Sequence, residues 1–174
     1  MYRSFSNCLA VILIQILKPL FFSCCCFSQA LRSSIVLKHL YILIDYLCVP
    51  ARLRNRGIGA QLLAAMRAHY RADTVFLWEA EAPVGDAEQD ELILRRLGFY
   101  RRCGAVVLGY DCALFGVHFK TLCCAADMPD ESVILRKHQE IYLRQFGQAR
   151  YDQFIQIPLH PGEKPFPVTD WTEE

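Results

Sequence analysis

Gly57-Ile58-Gly59, preceded by Arg52, Arg54 and Arg56 and followed by an apolar helix-forming stretch, has the residue types needed to hold a phosphate. The first backbone N–H groups of a helix lack partners within it, and the helix dipole puts partial positive charge there. Glycines let an anion approach that backbone closely. The stretch Val49 to Leu63, VPARLRNRGIGAQLL, therefore reads as strand, loop and helix, with a place for the pyrophosphate of a nucleotide-like cofactor. Two strand carboxylates could move a proton. Asp45 is the one charged residue within His39–Val49 (HLYILIDYLCV). A carboxylate in a buried strand is costly unless it is paired or functional, so Asp45 is either an exposed edge residue or a base beside a cleft. Glu79 and Glu81 close the next strand, before Pro83 and Gly85. Acidic strand ends opening into loops are where α/β sites lie, with plain solvation as the competing reading.

The elements that must position these groups follow from periodicity. His39–Val49 and Thr74–Ala80 are rich in β-branched, aromatic and aliphatic residues and predict strands. Between them, Ile58, Leu62, Ala65, Met66 and His69 form one helical stripe over Ile58–Tyr70. His69 reads as a helix-end histidine rather than a ligand. Asp86–Arg102 begins acidic and ends basic, as the helix dipole favours, and buries Ile93, Leu97 and Tyr100. Gly98 within it suggests a close backbone approach, and Cys103-Gly104 ends it. Ala105–Tyr110 and Leu114–Ala125 predict two further strands with a bend at Asp111-Cys112-Ala113. Asp130 can cap a last helix that Gly147 ends, leaving Tyr151–Ile157 as short strand or loop.

The chain has 174 residues, 53% hydrophobic and 21% charged, which suits a core-forming domain and excludes a disordered chain. A net charge of +1 gives no global signal for nucleic acid or acidic partners, so no nucleic-acid partner is expected. The local basic clusters Arg52/Arg54/Arg56 and Arg95/Arg96/Arg101/Arg102 suit a small anion. Nine cysteines at spacings without CxxC point to reduced thiols in a cytoplasmic protein and to no metal site. Residues 1–37 form an atypical apolar, cysteine-rich segment without the alternation of antiparallel strands. The apolar run between residues 8 and 27 is interrupted by Lys18-Pro19. It is read as a poor membrane anchor, a signal-like segment, a buried helix or the product of a wrong start. Residues 38–160 make the domain and 161–174 a proline-containing tail.

A Rossmann loop needs a third glycine, where this chain has Leu62, and a P-loop needs Gly-Lys-Ser/Thr, which is missing. Arg54-Asn55-Arg56-Gly57-Ile58-Gly59 instead resembles the R-x-x-G-x-G acetyl-CoA signature of the GNAT N-acetyltransferases. Three features strengthen the resemblance: Val49 five residues earlier, the Leu62-Leu63 pair after the signature, and Phe99-Tyr100-Arg101-Arg102 before Gly104. The resemblance covers roughly residues 38–160. It implies an α/β (α+β) fold with a mixed, mainly antiparallel sheet flanked by helices, here N-terminally truncated. It further implies acetyl-CoA as co-substrate and a primary amine, on a small molecule or a protein, as acceptor. Backbone groups of Leu47, Cys48 and Val49 would bind the pantetheine arm. The stretch Arg54, Asn55, Arg56, Gly57, Ile58, Gly59 and Ala60 would hold the pyrophosphate. Asp45, four residues before the valine, is the first candidate base and Glu79 the second. Tyr100 is the candidate acid for the leaving thiolate, or else a packed core tyrosine. The competing function is a non-catalytic remnant that binds CoA weakly or only a protein partner. A homodimer is left open.

Overall fold

The computed structural model describes residues 26–31 and 40–167, which form two compact units dividing within one strand, between Phe76 and Leu77. In the first unit, β1 (Cys26–Leu31) pairs antiparallel with β2 (Leu40–Leu47), from Cys26 opposite Leu47 to Leu31 opposite Tyr41. The next strand in order is β3 (Thr74–Glu81). A strand before β2 corrects the expectation that residues 1–37 contain none. Strand identity depends on a partner's ladder more than on local composition, so the pattern alone missed it. The remainder of residues 1–37 lies outside the described residues, as does the tail beyond Pro167.

Tyr41 to Ile44 are buried at 5% exposure or less, as expected for an apolar run covered on both faces. From Asp45 onward the strand opens: Asp45, Leu47 and Val49 are half-buried and Cys48 is exposed. A 3₁₀ turn (Ala51–Leu53) leads to α1 (Ile58–His69). α1 buries Leu62, Leu63 and Met66, each worth about 1.5–3 kcal/mol relative to exposure. The buried face is rotated from the expected stripe: Leu63 joins it and His69 is exposed, beside Tyr70.

In the second unit the strand order is β3-β5-β4-β6. α2 (Ala87–Arg102) starts at Asp86, whose carboxylate accepts the Gln89 N–H at 2.9 Å, a cap worth about 1 kcal/mol. α2 buries Ile93 and Leu97 and leaves Tyr100 half-buried. The contact nearest a side chain added at Gly98 is the flexible Arg102, so no close backbone approach explains this glycine.

β4 (Val106–Leu114) and β5 (Val117–Cys124) form a hairpin. The expected bend at Asp111–Ala113 is instead continuous strand, and the chain reverses at Phe115-Gly116, both at positive φ. Asp111 faces Lys120 in register and bonds it at 2.6 Å, so its charge is matched across the ladder instead of breaking it.

α3 (Glu131–Phe154) runs through a non-helical Gly147 and delivers the chain into β6 (Ile155–Leu159), antiparallel to β4. Gly147 kinks the helix where an end was expected. Asp130 sits at the N-cap without a side-chain capping bond; its backbone oxygen accepts from Val133 and Ile134. Glu131 instead reaches back to accept the Gly109 N–H at 3.0 Å, where the β4 register shifts.

Candidate functional site

The loop after β2 is built from consecutive residues. Pro50 and Ala51 carbonyls accept from Leu53 and Arg54, closing the 3₁₀ turn. The Arg54 Nε–H donates to the Val49 carbonyl at 3.1 Å, tying the loop to the strand end while the residue stays exposed. Asn55 and Gly57 take positive φ, 61° and 74°. A side chain at Gly57 would be strained there whatever the space.

Gly57 is also the N-cap of α1 and makes no side-chain capping bond. The first amide to bond back into the helix is Gln61, to Gly57 at 3.0 Å. Among the described residues, the amides of Ile58, Gly59 and Ala60 have no acceptor. Arg52, Arg54 and Arg56 are exposed around them. Unpaired amides, a helix N-terminus, no acidic residue in the first turn and three cations together fit a pyrophosphate. β2 ends at Leu47 and the chain continues as irregular backbone through Cys48 and Val49, with Asp45 on the same stretch.

The second unit holds a different kind of site. Adjacent strand residues point to opposite faces. Trp78 faces α2, its ring 5.3 Å from that of Tyr100. Glu79 faces α3. The structure thus places Glu79 and Tyr100 on opposite faces of β3 and does not bring them together. Glu79 is 7% exposed at its side chain, and its Oε1 carries two bonds. His138 Nε2 lies 2.7 Å away, and the Tyr142 hydroxyl donates at 2.9 Å. His138 is fully buried, and its Nδ1 lies 3.2 Å from the Tyr110 hydroxyl. Burial pushes the Tyr110 hydroxyl well above its usual range, with nearby Cys112 and Glu79 adding to the effect, so it keeps its proton.

Glu79 Oε2 has no protein partner among the described residues. The only buried, unpartnered side-chain polar atoms there are Thr74 Oγ1 and Trp78 Nε1, so Oε2 reaches solvent. Glu79, Cys112 and His138 offer ligand-type atoms within 4.8 Å of one another. Glu79 and His138 already bond each other, however, and Cys112 Sγ accepts from Thr121 at 3.6 Å. Burial, with Glu79 nearby, pushes that thiol far above its usual range. The cluster is therefore a hydrogen-bonded network rather than a preformed ligand set.

His138, Tyr110 and Tyr142 escaped the sequence reading. One signal was present: His138 lies on the stripe Ile134, His138, Ile141 and Tyr142, all buried on α3.

Among the described residues, Cys48, Cys103, Cys112, Cys123 and Cys124 are outside any disulfide. No helix among the described residues is long and apolar enough to cross a membrane.

No family model and no curated protein matches the sequence. Solved structures do. A protein from Bacteroides thetaiotaomicron described as a GNAT-family acetyltransferase superposes with a TM-score of 0.53 at 16% identity, over 71% of this chain and 66% of that one. Lower scores are found for two others. A Corynebacterium glutamicum protein described as histone acetyltransferase HPA2 and related acetyltransferase gives 0.38 at 20% identity, over 57% of this chain and 49% of that one. Arabidopsis thaliana Naa50, solved with the bisubstrate analogue CoA-Ac-MVNAL, gives 0.43 at 12% identity, over 67% and 93%. This chain spans just under two thirds of the Bacteroides protein. Over the part that superposes, the chain has the GNAT acetyltransferase fold.

Proposed function

We propose that the protein is an N-acetyltransferase that moves an acetyl group from acetyl-CoA to a primary amine. The observation that carries this reading is the loop Arg54–Ala60: free amides at the N-terminus of α1, arginines around them, and a Gly57 conformation that a side chain would strain. Its spelling, R-x-x-G-x-G on a GNAT fold, narrows the anion to the pyrophosphate of CoA. Acetyl-CoA supplies the activated thioester carbonyl.

The reaction sets three tasks. Amides from Asn55 to Ala60, with the side chains of Arg54 and Arg56, bind the pyrophosphate, while the Arg54 amide stays in the turn; the backbone of Leu47, Cys48 and Val49 orients the pantetheine arm. A carboxylate takes the proton the amine must lose before it attacks. Asp45 and Glu79 are the candidates, and the solvent-open Oε2 of an otherwise anchored Glu79 favours the latter. The third task, a proton for the departing thiolate, does not fall to Tyr100 when Glu79 is the base, because Tyr100 packs against Trp78 on the opposite face of β3; that proton then comes from solvent.

Titration calorimetry with acetyl-CoA tests the reading. Wild type binds; Gly57→Glu and Gly59→Glu do not. Unchanged affinity in both variants would remove the cofactor assignment. Binding without transfer to any amine would favour the non-catalytic alternative.

A further inference from the structure

The network behind Glu79 has a specific polarity. The Tyr110 hydroxyl, kept protonated by burial, donates to His138 Nδ1. The ring hydrogen of His138 then sits on Nε2, which donates to Glu79 Oε1 at 2.7 Å. The Tyr142 hydroxyl donates to the same oxygen at 2.9 Å. Both bonds thus fall on one carboxylate oxygen and none on the other. Protein donors satisfy one oxygen, and the other is left to solvent.

The groups come from three elements: Glu79 on β3, Tyr110 on β4, and His138 and Tyr142 on α3. Stacking against Phe146 and a tilted approach to His138 hold the Tyr142 ring in turn. Cys112, the other titratable group beside Glu79, is directed to Thr121.

We propose that His138, backed by Tyr110 and assisted by Tyr142, is a positioning residue that holds Glu79 with Oε2 presented to receive the proton of the acceptor amine. The proposal rests on the N-acetyltransferase reading. The proton balance is simple. An N–H bond of the acceptor ammonium breaks and an O–H bond forms at Oε2; after product release that proton passes to water. Oε1 keeps accepting from His138 and Tyr142 whether Oε2 is protonated or not. No network bond need be remade during turnover, which is the benefit of a preorganised base.

The test uses the whole protein with acetyl-CoA and the amine it acetylates fastest among a peptide N-terminus, a lysine peptide and spermidine. His138→Phe removes the donor at similar ring volume. It should lower kcat about tenfold or more, with affinity for acetyl-CoA unchanged within about twofold. His138→Gln, whose amide N–H can replace Nε2–H, should recover most of that loss. Tyr142→Phe removes only a hydroxyl and should lower kcat by about threefold; it carries the rate test if His138→Phe fails to fold. Nitrogen NMR of the wild type should find the His138 hydrogen on Nε2.

Wild-type kcat in a folded His138→Phe protein, or in Tyr142→Phe should His138→Phe not fold, would overturn the proposal. So would Gln being as impaired as Phe, or the hydrogen residing on Nδ1. The NMR readout needs no turnover. A wild type that acetylates no amine therefore removes the enzymatic reading, while the wrong tautomer in an active wild type removes the positioning role alone.

Discussion

The loop at the start of α1 and the carboxylate network on α3 make opposite uses of the chain. The loop is contiguous, and its proposed binding groups are backbone amides exposed by a glycine turn. The network joins residues 59 and 63 positions apart, and its working groups are side chains held by one another. A backbone site can be spelled in a few consecutive letters, because it needs only a particular chain path. A side-chain network can be recognised only once packing has brought its members together.

The two regions should fail differently, and the largest effect is expected at the loop. Gly57→Glu puts a carboxylate and a strained side chain where an anion would bind, and Gly59→Glu adds the same charge two residues on. Both should abolish acetyl-CoA binding in calorimetry, with Glu79→Gln as a binding-competent control. At the network, Glu79→Gln should lower kcat by about 10²–10⁴-fold at unchanged acetyl-CoA affinity, the usual range for a lost general base. Asp45→Asn should also spare binding. If steady-state kinetics find that it slows turnover more than Glu79→Gln, the base belongs to the first unit and the contrast between the regions collapses.

A smaller effect should follow Arg54→Ala, which removes the bond to the Val49 carbonyl and one exposed charge. Acetyl-CoA affinity should weaken about three- to tenfold, more steeply at low salt, because an exposed cation acts through a screened field. An affinity indifferent to salt would assign Arg54 to loop closure alone.

The smallest effect concerns thiols. Burial, with Cys124 beside it, raises the Cys123 thiol to about 12, and Cys112 is raised further by burial and Glu79. At pH 8 only about one Cys123 in ten thousand is thiolate, the reactive form. Among the described cysteines, exposed Cys48 beside the loop should react with iodoacetamide first, and bound acetyl-CoA should slow it. Peptide mapping that finds Cys112 or Cys123 labelled as fast as Cys48 would mean that the network opens readily.

Much of the fold was legible from local pattern. The expected strands at β2 and β3 are short apolar runs, the helices at α1 and α2 each follow a helical period, and the acidic start of α2 includes its Asp86 cap. The errors share a cause. At Asp111 a polar residue suggested a turn, but its charge is matched by Lys120 on the partner strand. At Gly147 a glycine suggested an end, but the helix resumes after one non-helical residue. β1 has a ladder only because β2 is beside it. Each was decided by a partner that the local window did not contain.

The sequence by itself determined the loop: glycines that let an anion approach the backbone, first amides of α1 without partners in the helix, and arginines around them. Those are properties of consecutive residues and of helix geometry. The tertiary structure alone decided what surrounds Glu79. It turned Glu79 to the face opposite Tyr100 and set His138, Tyr110 and Tyr142 behind one of its oxygens. A buried polar group must find its partners wherever packing places them, and no spacing along the chain encodes that distance.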